Sequence, residues 1–574
     1  MSSYPGQGLS TDELLFALGK DLEQKLARPY PPFDFAEVDA LEKSLSKVSM
    51  KIRTMKNALA SVNNLPVEVL QQIPSWLPFV ADIITASQVC RYWRKAFLSY
   101  SNLWSYLNCR SEHATHALLE RSGVSPLDIV ISPGYSPRAF CYTIPHVKRW
   151  EVLDVRVLRD ELNVVFATIT GPGTAPKLRE LTIVPMMGYD SPGAIDVKGK
   201  ILGGELPALQ RLCLCSLKIE LHKLTAPNLT HVFLACTRSE FISMTALLDF
   251  LERSPLIEDF ELRYPGPNLP DLAHPDHIIS LHNLRRIVLW DRGSMYIHHL
   301  TLPYGVECEL NFLFTEVLGT AGFIEEMFAF LPERLKPIYE AETMSIVPSY
   351  NRGAVRFKAP SGFVEILPTF FHGDRTSITR FIVYPPPVLR KVKELFVCSR
   401  DGIIPGWGSA DVRKHLKKMT SLGSLTIMQC NATSFIRALL PSEGKVPCPT
   451  LKNLTIHFAH SETSCVPDFK SMVEQRESHG HKFEKIVLIF DSQVPDPPDF
   501  PNLEVKVDHR PLYWDAKKKV WRYLQEGEGY MESHGNRTLA PPGIIPIDPI
   551  MIPGMIPGMI PGMIPGMIPG VHLP

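Results

Sequence analysis

The residues of this 574-residue chain best equipped for chemistry are its 11 cysteines and 19 histidines. Metal binding needs several such donors at short, fixed spacing. Cys213-x-Cys215 puts two thiols on one face of an expected strand, where side chains two apart point the same way. It reads as a packed pair. His113-x-x-His116 and His457-x-x-His460, the second near Glu462 and Cys465, have no spacing that joins one pair to the other. There is no P-loop, Gly-x-Ser-x-Gly elbow, His-Glu-x-x-His or Cys-x-x-Cys, and Gly171-Pro-Gly173 opens no dinucleotide fingerprint. Acidic pairs such as Glu325-Glu326 read as solvated helix faces. The expectation is a non-enzyme with no catalytic residue, no metal and no cofactor.

Composition points the same way. Lys plus Arg equals Asp plus Glu at 60 each, so net charge argues for neither a nucleic-acid nor a membrane partner. The length predicts two to four domains or a repeat array, and 45% apolar residues suffice for a packed core. The first residues carry no secretory pattern, and no apolar run reaches membrane-spanning length. An odd, scattered set of cysteines fits a reducing compartment. The sequons at Asn228, Asn431, Asn453 and Asn536 then read as chance, and a cytoplasmic or nuclear protein is expected.

The elements begin with an N-terminal segment, 1–34, expected to be partly disordered. Across 35–62 the apolar residues Val38, Leu41, Leu45, Val48, Ile52, Met55, Leu59 and Val62 step by alternating threes and fours. That is a heptad seam. It suits either a short coiled coil or an amphipathic helix folded back onto the next block, with Lys43, Lys47, Lys51 and Lys56 on a solvated face. Residues 63–110 then hold three apolar clusters. In the first, Asn64 is placed to cap a helix and Pro66 to sit in its first turn. Leu65, Val69, Leu70 and Ile73 share a face, and Pro74 ends that helix early. A second helix from about Asp82 stripes Ile83, Ala86, Val89, Cys90 and Trp93, and Leu103, Trp104 and Leu107 close the block.

After a linker at 111–149, a phrase of the form Pro-x-Leu-x-x-Leu-x-Leu recurs between 150 and 508. It stands at Pro176–Ile183, Pro207–Leu214, Pro227–Leu234, Pro255–Leu262, Leu284–Leu289, Leu422–Ile427 and Pro449–Ile456, with weaker copies at Trp150–Val155 and Phe483–Leu488. From 150 the copies lie 28, 31, 20, 28 and 27 residues apart, and the later pair 29. Each predicts a short strand. Helical pieces between them carry Leu247, Leu248 and Leu251, then Val412, Leu416 and Met419 after a cap at Ser409, then Phe469, Met472 and Val473 before a stop at Gly480. The periodicity predicts a curved parallel sheet backed by helices.

The register lapses from about 305 to 385, which reads as an insertion containing a helix at Phe314–Leu331 and a strand at Ala354–Lys358. Asp515–Glu526, within 509–530, predicts a last helix bearing Val520, Trp521 and Leu524. From 531 the chain turns to low complexity, with Met-Ile-Pro-Gly five times over, which predicts disorder. The fold class expected is α/β with an all-α N-terminal part.

The ordered set Leu65-Pro66-x-Glu68-x-Leu70, Val89-Cys90-x-x-Trp93-Arg94 and Leu103-Trp104 resembles an F-box. With Ser122-Gly123-x-Ser125-Pro126-Leu127-x-Ile129 and the strand phrases, the chain resembles fungal, basidiomycete-type F-box proteins with irregular leucine-rich repeats. The resemblance implies a substrate-recognition subunit of a Skp–cullin–F-box ubiquitin ligase. The F-box would dock the Skp-type adaptor, and through it a cullin–RING ligase, by Leu65, Pro66, Leu70, Ile73, Val89, Cys90 and Trp93 as contacts or their support. The repeats would hold a target protein. A repeat scaffold outside ubiquitination, and an enzyme on an α/β fold, are the alternatives.

Overall fold

A computed structural model describes residues 34–77, 80–171, 173–186, 195–235, 243–263, 277–290, 296–314, 335–348, 353–370, 389–398, 408–428, 430, 432–442, 444–458, 466–490, 500–507, 512–515 and 520–523, with isolated positions between 16 and 27. Two compact units divide the chain. One comprises residues 1–104 with 121–123, and the other comprises 105–120 and everything from 124 on.

The first unit is helical. α1 (Phe35–Leu59) starts at Asp34, whose carboxylate accepts from the Ala36 N–H. Three short helices follow: α2 (Val67–Gln72), α3 (Val80–Ser87) and α4 (Arg91–Leu98). Pro74 acts as expected, because α2 gives way at Ile73 to a single 3-10 turn over Ile73–Trp76. Asn64 does not cap α2. It ends a 3-10 turn at Ser61–Asn64, and Pro66 takes the N-cap position without a side-chain bond.

The single helix expected from Asp82 is two helices. Ser87 donates to the Ile84 carbonyl at 2.6 Å, and Cys90 is extended, with φ −156° and ψ 172°. A hydroxyl turned onto its own helix offers the backbone an alternative to the ladder, and β-branched Val89 is a weak helix former.

The second unit is built on a 17-stranded sheet. In chain order its strands are β1 (Tyr106–Leu107), β2 (Leu127–Ile131), β3 (Trp150–Val155), β4 (Glu180–Ile183), β5 (Arg211–Cys215), β6 (His231–Ala235), β7 (Asp259–Arg263), β8 (Arg286–Trp290) and β9 (Val306–Phe314). They continue with β10 (Thr343–Pro348), β11 (Gly353–Ala359), β12 (Gly362–Phe370), β13 (Glu394–Cys398), β14 (Ser424–Met428), β15 (Asn453–Phe458), β16 (Lys485–Phe490) and β17 (Leu503–Val507).

Every strand phrase yields a strand, and neighbours in sequence are parallel neighbours in the sheet. The recurring apolar positions stay in register: Leu181 pairs with Leu212, Leu212 with Val232, Val232 with Phe260, and Phe260 with Ile287. All of them are buried. Helices at Arg159–Ile169, Met244–Glu252, Ser409–Leu416, Ala432–Leu439 and Val466–Ser478 join successive strands and each buries an apolar face, as parallel crossovers require. Gly408, not Ser409, is the N-cap of the third of these. Gly480 stops the last at φ +82°.

Two expectations change. The segment from 305 to 385 is not set apart from the sheet. Its strands are spliced in as β9-β12-β11-β10-β13, and among the described residues the sheet is antiparallel only on the two sides of β11. Of the helix expected at Phe314–Leu331, only Phe314 is described, at the end of β9; the rest lies outside the described residues. The helix expected at Asp515–Glu526 is an antiparallel pair, β18 (Leu512–Asp515) and β19 (Val520–Tyr523). Tyr513, Trp514, Val520, Trp521 and Tyr523 suit a pleated surface, and their strand propensity overrides the helical spacing. The Met-Ile-Pro-Gly run lies outside the described residues.

The alternate face of the sheet carries charge at its middle. Arg263 meets Glu261 at 2.6 Å, Arg286 lies 3.4 Å from Asp259 and 3.8 Å from Glu309, and Arg356 meets Glu365 at 2.6 Å. To either side the same face is apolar, with Val184, Cys213, Cys215 and Phe233 on one flank and Cys398, Met428, Val487 and Ile489 on the other.

Candidate functional site

Among the described residues, those singled out for chemistry do not assemble into a site. Cys213 and Cys215 lie together on β5 among Val184 and Phe233, and the Cys213 thiol is pushed well up, first by its bond to Cys215 and then by burial. Such thiols are poor nucleophiles and poor ligands. His457 is buried within β15, in register with Met428 and Ile489, whereas His113 and His116 are exposed. His460, Glu462 and Cys465 lie outside the described residues. Three other donors do converge, Asp249, Glu252 and His277, with Glu252 and His277 3.6 Å apart. Both carboxylates are exposed.

The helical block at 62–110 does have an organised interior. Leu70 is 0% exposed, and Ile83, Ala96, Phe97 and Trp104 of the same block are buried too. The Trp104 indole donates to the Phe97 carbonyl at 3.0 Å, and the Arg121 guanidinium stacks 4.9 Å from its ring. Gln71 reaches across to α4, donating to the Ala96 carbonyl at 3.1 Å. Asn63 ties the entry of the block to its middle: its side-chain oxygen accepts from the Trp93 indole at 2.7 Å and faces the Cys90 thiol at 3.9 Å. Tyr92 closes the same seam by donating to the Leu65 carbonyl at 2.7 Å. The two halves of the block are thus held by polar bonds across 27 to 30 residues of sequence.

The seven residues named from sequence divide into three groups. Leu70 is wholly interior. Ile73, Cys90 and Trp93 are half-buried, and Trp93 rests on Phe97 with ring centroids 5.6 Å apart. Leu65 is also half-buried, while Pro66 and Val89 face solvent, Val89 at 57%. Leu107 belongs to none of them, because it sits in β1 paired with Ile129.

The block also exposes large apolar side chains outside those seven: Trp76 at 84%, Val69 at 41%, and Ile84, Tyr92 and Leu98. Asn63 was also missed, and it precedes a second asparagine that looked like the cap.

Residues 62–110 match the F-box-like family model. No curated protein matches the chain at a significant level. The match begins one residue before Asn63 and ends past Trp104, so it frames the Asn63–Trp93 bond and the Leu70–Trp104 core together. Residues 62–110 form an F-box-like domain.

Proposed function

We propose that this protein is the substrate-recognition subunit of a Skp–cullin–F-box ubiquitin ligase. The observation that carries the reading is the F-box-like match at 62–110, on a block that keeps Val69, Trp76, Ile84 and Val89 exposed around a closed core. F-box domains dock Skp-type adaptors, and apolar side chains held outward on short helices suit such docking. The adaptor would link the chain to a cullin–RING ligase. We read the strand phrases and the mostly parallel sheet as degenerate leucine-rich repeats whose open surfaces hold the target protein, as in the fungal proteins the chain resembles. Catalysis would then be proximity: tethering raises the effective concentration of target lysines near the conjugating enzyme, and no residue of this chain makes or breaks a bond. A cytoplasmic or nuclear location follows from that role.

The test is co-purification of the full chain with a recombinant Skp-type adaptor. Wild type is expected to bind, and Trp76→Asp with Val89→Asp to lose binding while melting as wild type does. A folded wild type that captures no adaptor refutes the reading.

A further inference from the structure

The eight seam residues of the N-terminal helix and its exit, Val38, Leu41, Leu45, Val48, Ile52, Met55, Leu59 and Val62, are all exposed, between 37% and 84%. The F-box-like core of Leu70, Ile83, Phe97 and Trp104 closes without them. A 25-residue helix with its apolar stripe in water lacks the packing from which helices draw most of their stability. Spacing by threes and fours is the pattern that a second helix covers by knobs-into-holes packing. We infer that α1 is a self-association surface, pairing antiparallel with α1 of a second copy of this chain.

Charge selects both the partner and the direction. The first half of α1 carries Glu37, Asp39 and Glu42 with Lys43, which pairs with Asp39 at 2.6 Å, and Lys47 at the centre, whereas the second half carries only the cations Lys51, Arg53 and Lys56. The helix is therefore complementary to its own reverse. With Val38 and Leu45 at the first core position of the heptad, Glu42, Ser49 and Lys56 take one flank of the seam, and Ser44, Lys51 and Ala58 the other. In a parallel pair, flanking residues meet their counterparts five further on. Lys51 of each copy would then face Lys56 of the other, two repulsions.

In a fully overlapped antiparallel pair, like flanks meet. Within the helix, Leu41 packs on Leu59, Leu45 on Met55 and Val48 on Ile52. Glu42 of each copy then faces Lys56 of the other, two attractions, against one repulsion between the two Lys51 side chains at the dyad. The arrangement sets the two F-box-like blocks at opposite ends of a helix pair about 37 Å long, at 1.5 Å per residue. Both remain free for a partner of their own.

Sedimentation equilibrium of the full chain tests this, with adaptor binding and thermal melting as controls for folding. Wild type is expected to pass from monomer to dimer with rising concentration. Leu45→Asp with Ile52→Asp is expected to stay monomeric at every concentration and, at concentrations where wild type is also monomeric, to melt as wild type does, because both side chains are already exposed. Lys56→Glu decides the direction. The antiparallel pair exchanges two attractions for two repulsions and weakens roughly tenfold. A parallel pair would tighten instead, since Lys51 would then face the introduced carboxylate. Glu42→Lys together with Lys56→Glu is expected to restore the wild-type dimer. A wild type that is monomeric throughout, a dimer that survives the seam substitutions, or a tighter Lys56→Glu dimer each overturns the inference.

Discussion

Val69 and Leu70 are adjacent on α2, yet Val69 is 41% exposed and Leu70 not at all. The pair therefore separates the part of the F-box-like block that holds it together from the part that, under the proposed function, would meet the adaptor. Leu70→Ala empties a closed site in the block that also buries Ile83, Ala96, Phe97 and Trp104, and truncations of this kind cost about 3 kcal/mol or more. Domains are stable by only about 5–15 kcal/mol, and α2, α3 and α4 are at most 8 residues long, so little stability is in reserve. At a urea dependence of about 1.5 kcal/mol per molar, the midpoint of the first unit should fall by roughly 2 M.

Val69→Asp removes no buried contact and should shift stability by less than about 0.5 kcal/mol. On a docking face it should weaken adaptor binding by about 2 kcal/mol, roughly 30-fold. Trp76, Trp93 and Trp104 report unfolding by fluorescence, and calorimetric titration with the adaptor reports binding. If Leu70→Ala unfolds at the wild-type midpoint, the assignment of the core is wrong. If Val69→Asp binds as wild type does, the docking face lies elsewhere.

Three predictions concern the sheet unit. Burial, and then the nearby Glu365 carboxylate, push the Glu309 carboxyl up to about 7 from 4.5. A raised carboxyl favours the folded state below the unfolded value, so stability should fall as pH rises from about 4.5 to about 7. Glu309→Gln should flatten that slope and gain about 1–3 kcal/mol at pH 8, read by melting against pH. Fully buried Arg476 donates to the carbonyls of Pro447 at 2.7 Å and Cys448 at 2.9 Å, and lysine has no fork to span both, so Arg476→Lys should cost about 2–4 kcal/mol in chemical unfolding. Gly362 opens β12 at φ +144°, where an added Cβ would lie 2.5 Å from the Val306 carbonyl oxygen; Gly362→Ala should cost about 3 kcal/mol or more, seen as a lowered melting temperature.

The parallel strands were legible because each repeats one local rule. A turn, often proline-started, sets the chain, and two alternating apolar residues then fill the buried face, as Leu181 with Ile183 and Leu425 with Ile427. The splice of β10, β11 and β12 was not legible. Its strands pair β9 with β12 and β10 with β13, across 51 or more residues, and no local periodicity encodes which distant edge a strand will meet. The hairpin at β18 and β19 was misread for the opposite reason. Val520, Trp521 and Leu524 fit a helical stripe, and the aromatic content that favours strand weighs nothing in a count of spacings.

The F-box-like block shows where motif reading stops. Its recognisable residues, Leu70, Cys90, Trp93 and Trp104, stand at fixed intervals because they build the module: Leu70 and Trp104 fill its core, and Trp93 and Cys90 converge on Asn63. A block of three short helices has few interior positions, so those few admit few residue types and leave a readable signature. Positions such as Val69, Trp76 and Ile84 are exposed, and under the proposed function they would answer to the surface of a partner, which no pattern within this chain records. Only Pro66 and Val89 among the seven named residues are both in the motif and solvent-facing. Substitutions in the signature therefore test whether the block folds, and substitutions just outside it test what the block binds.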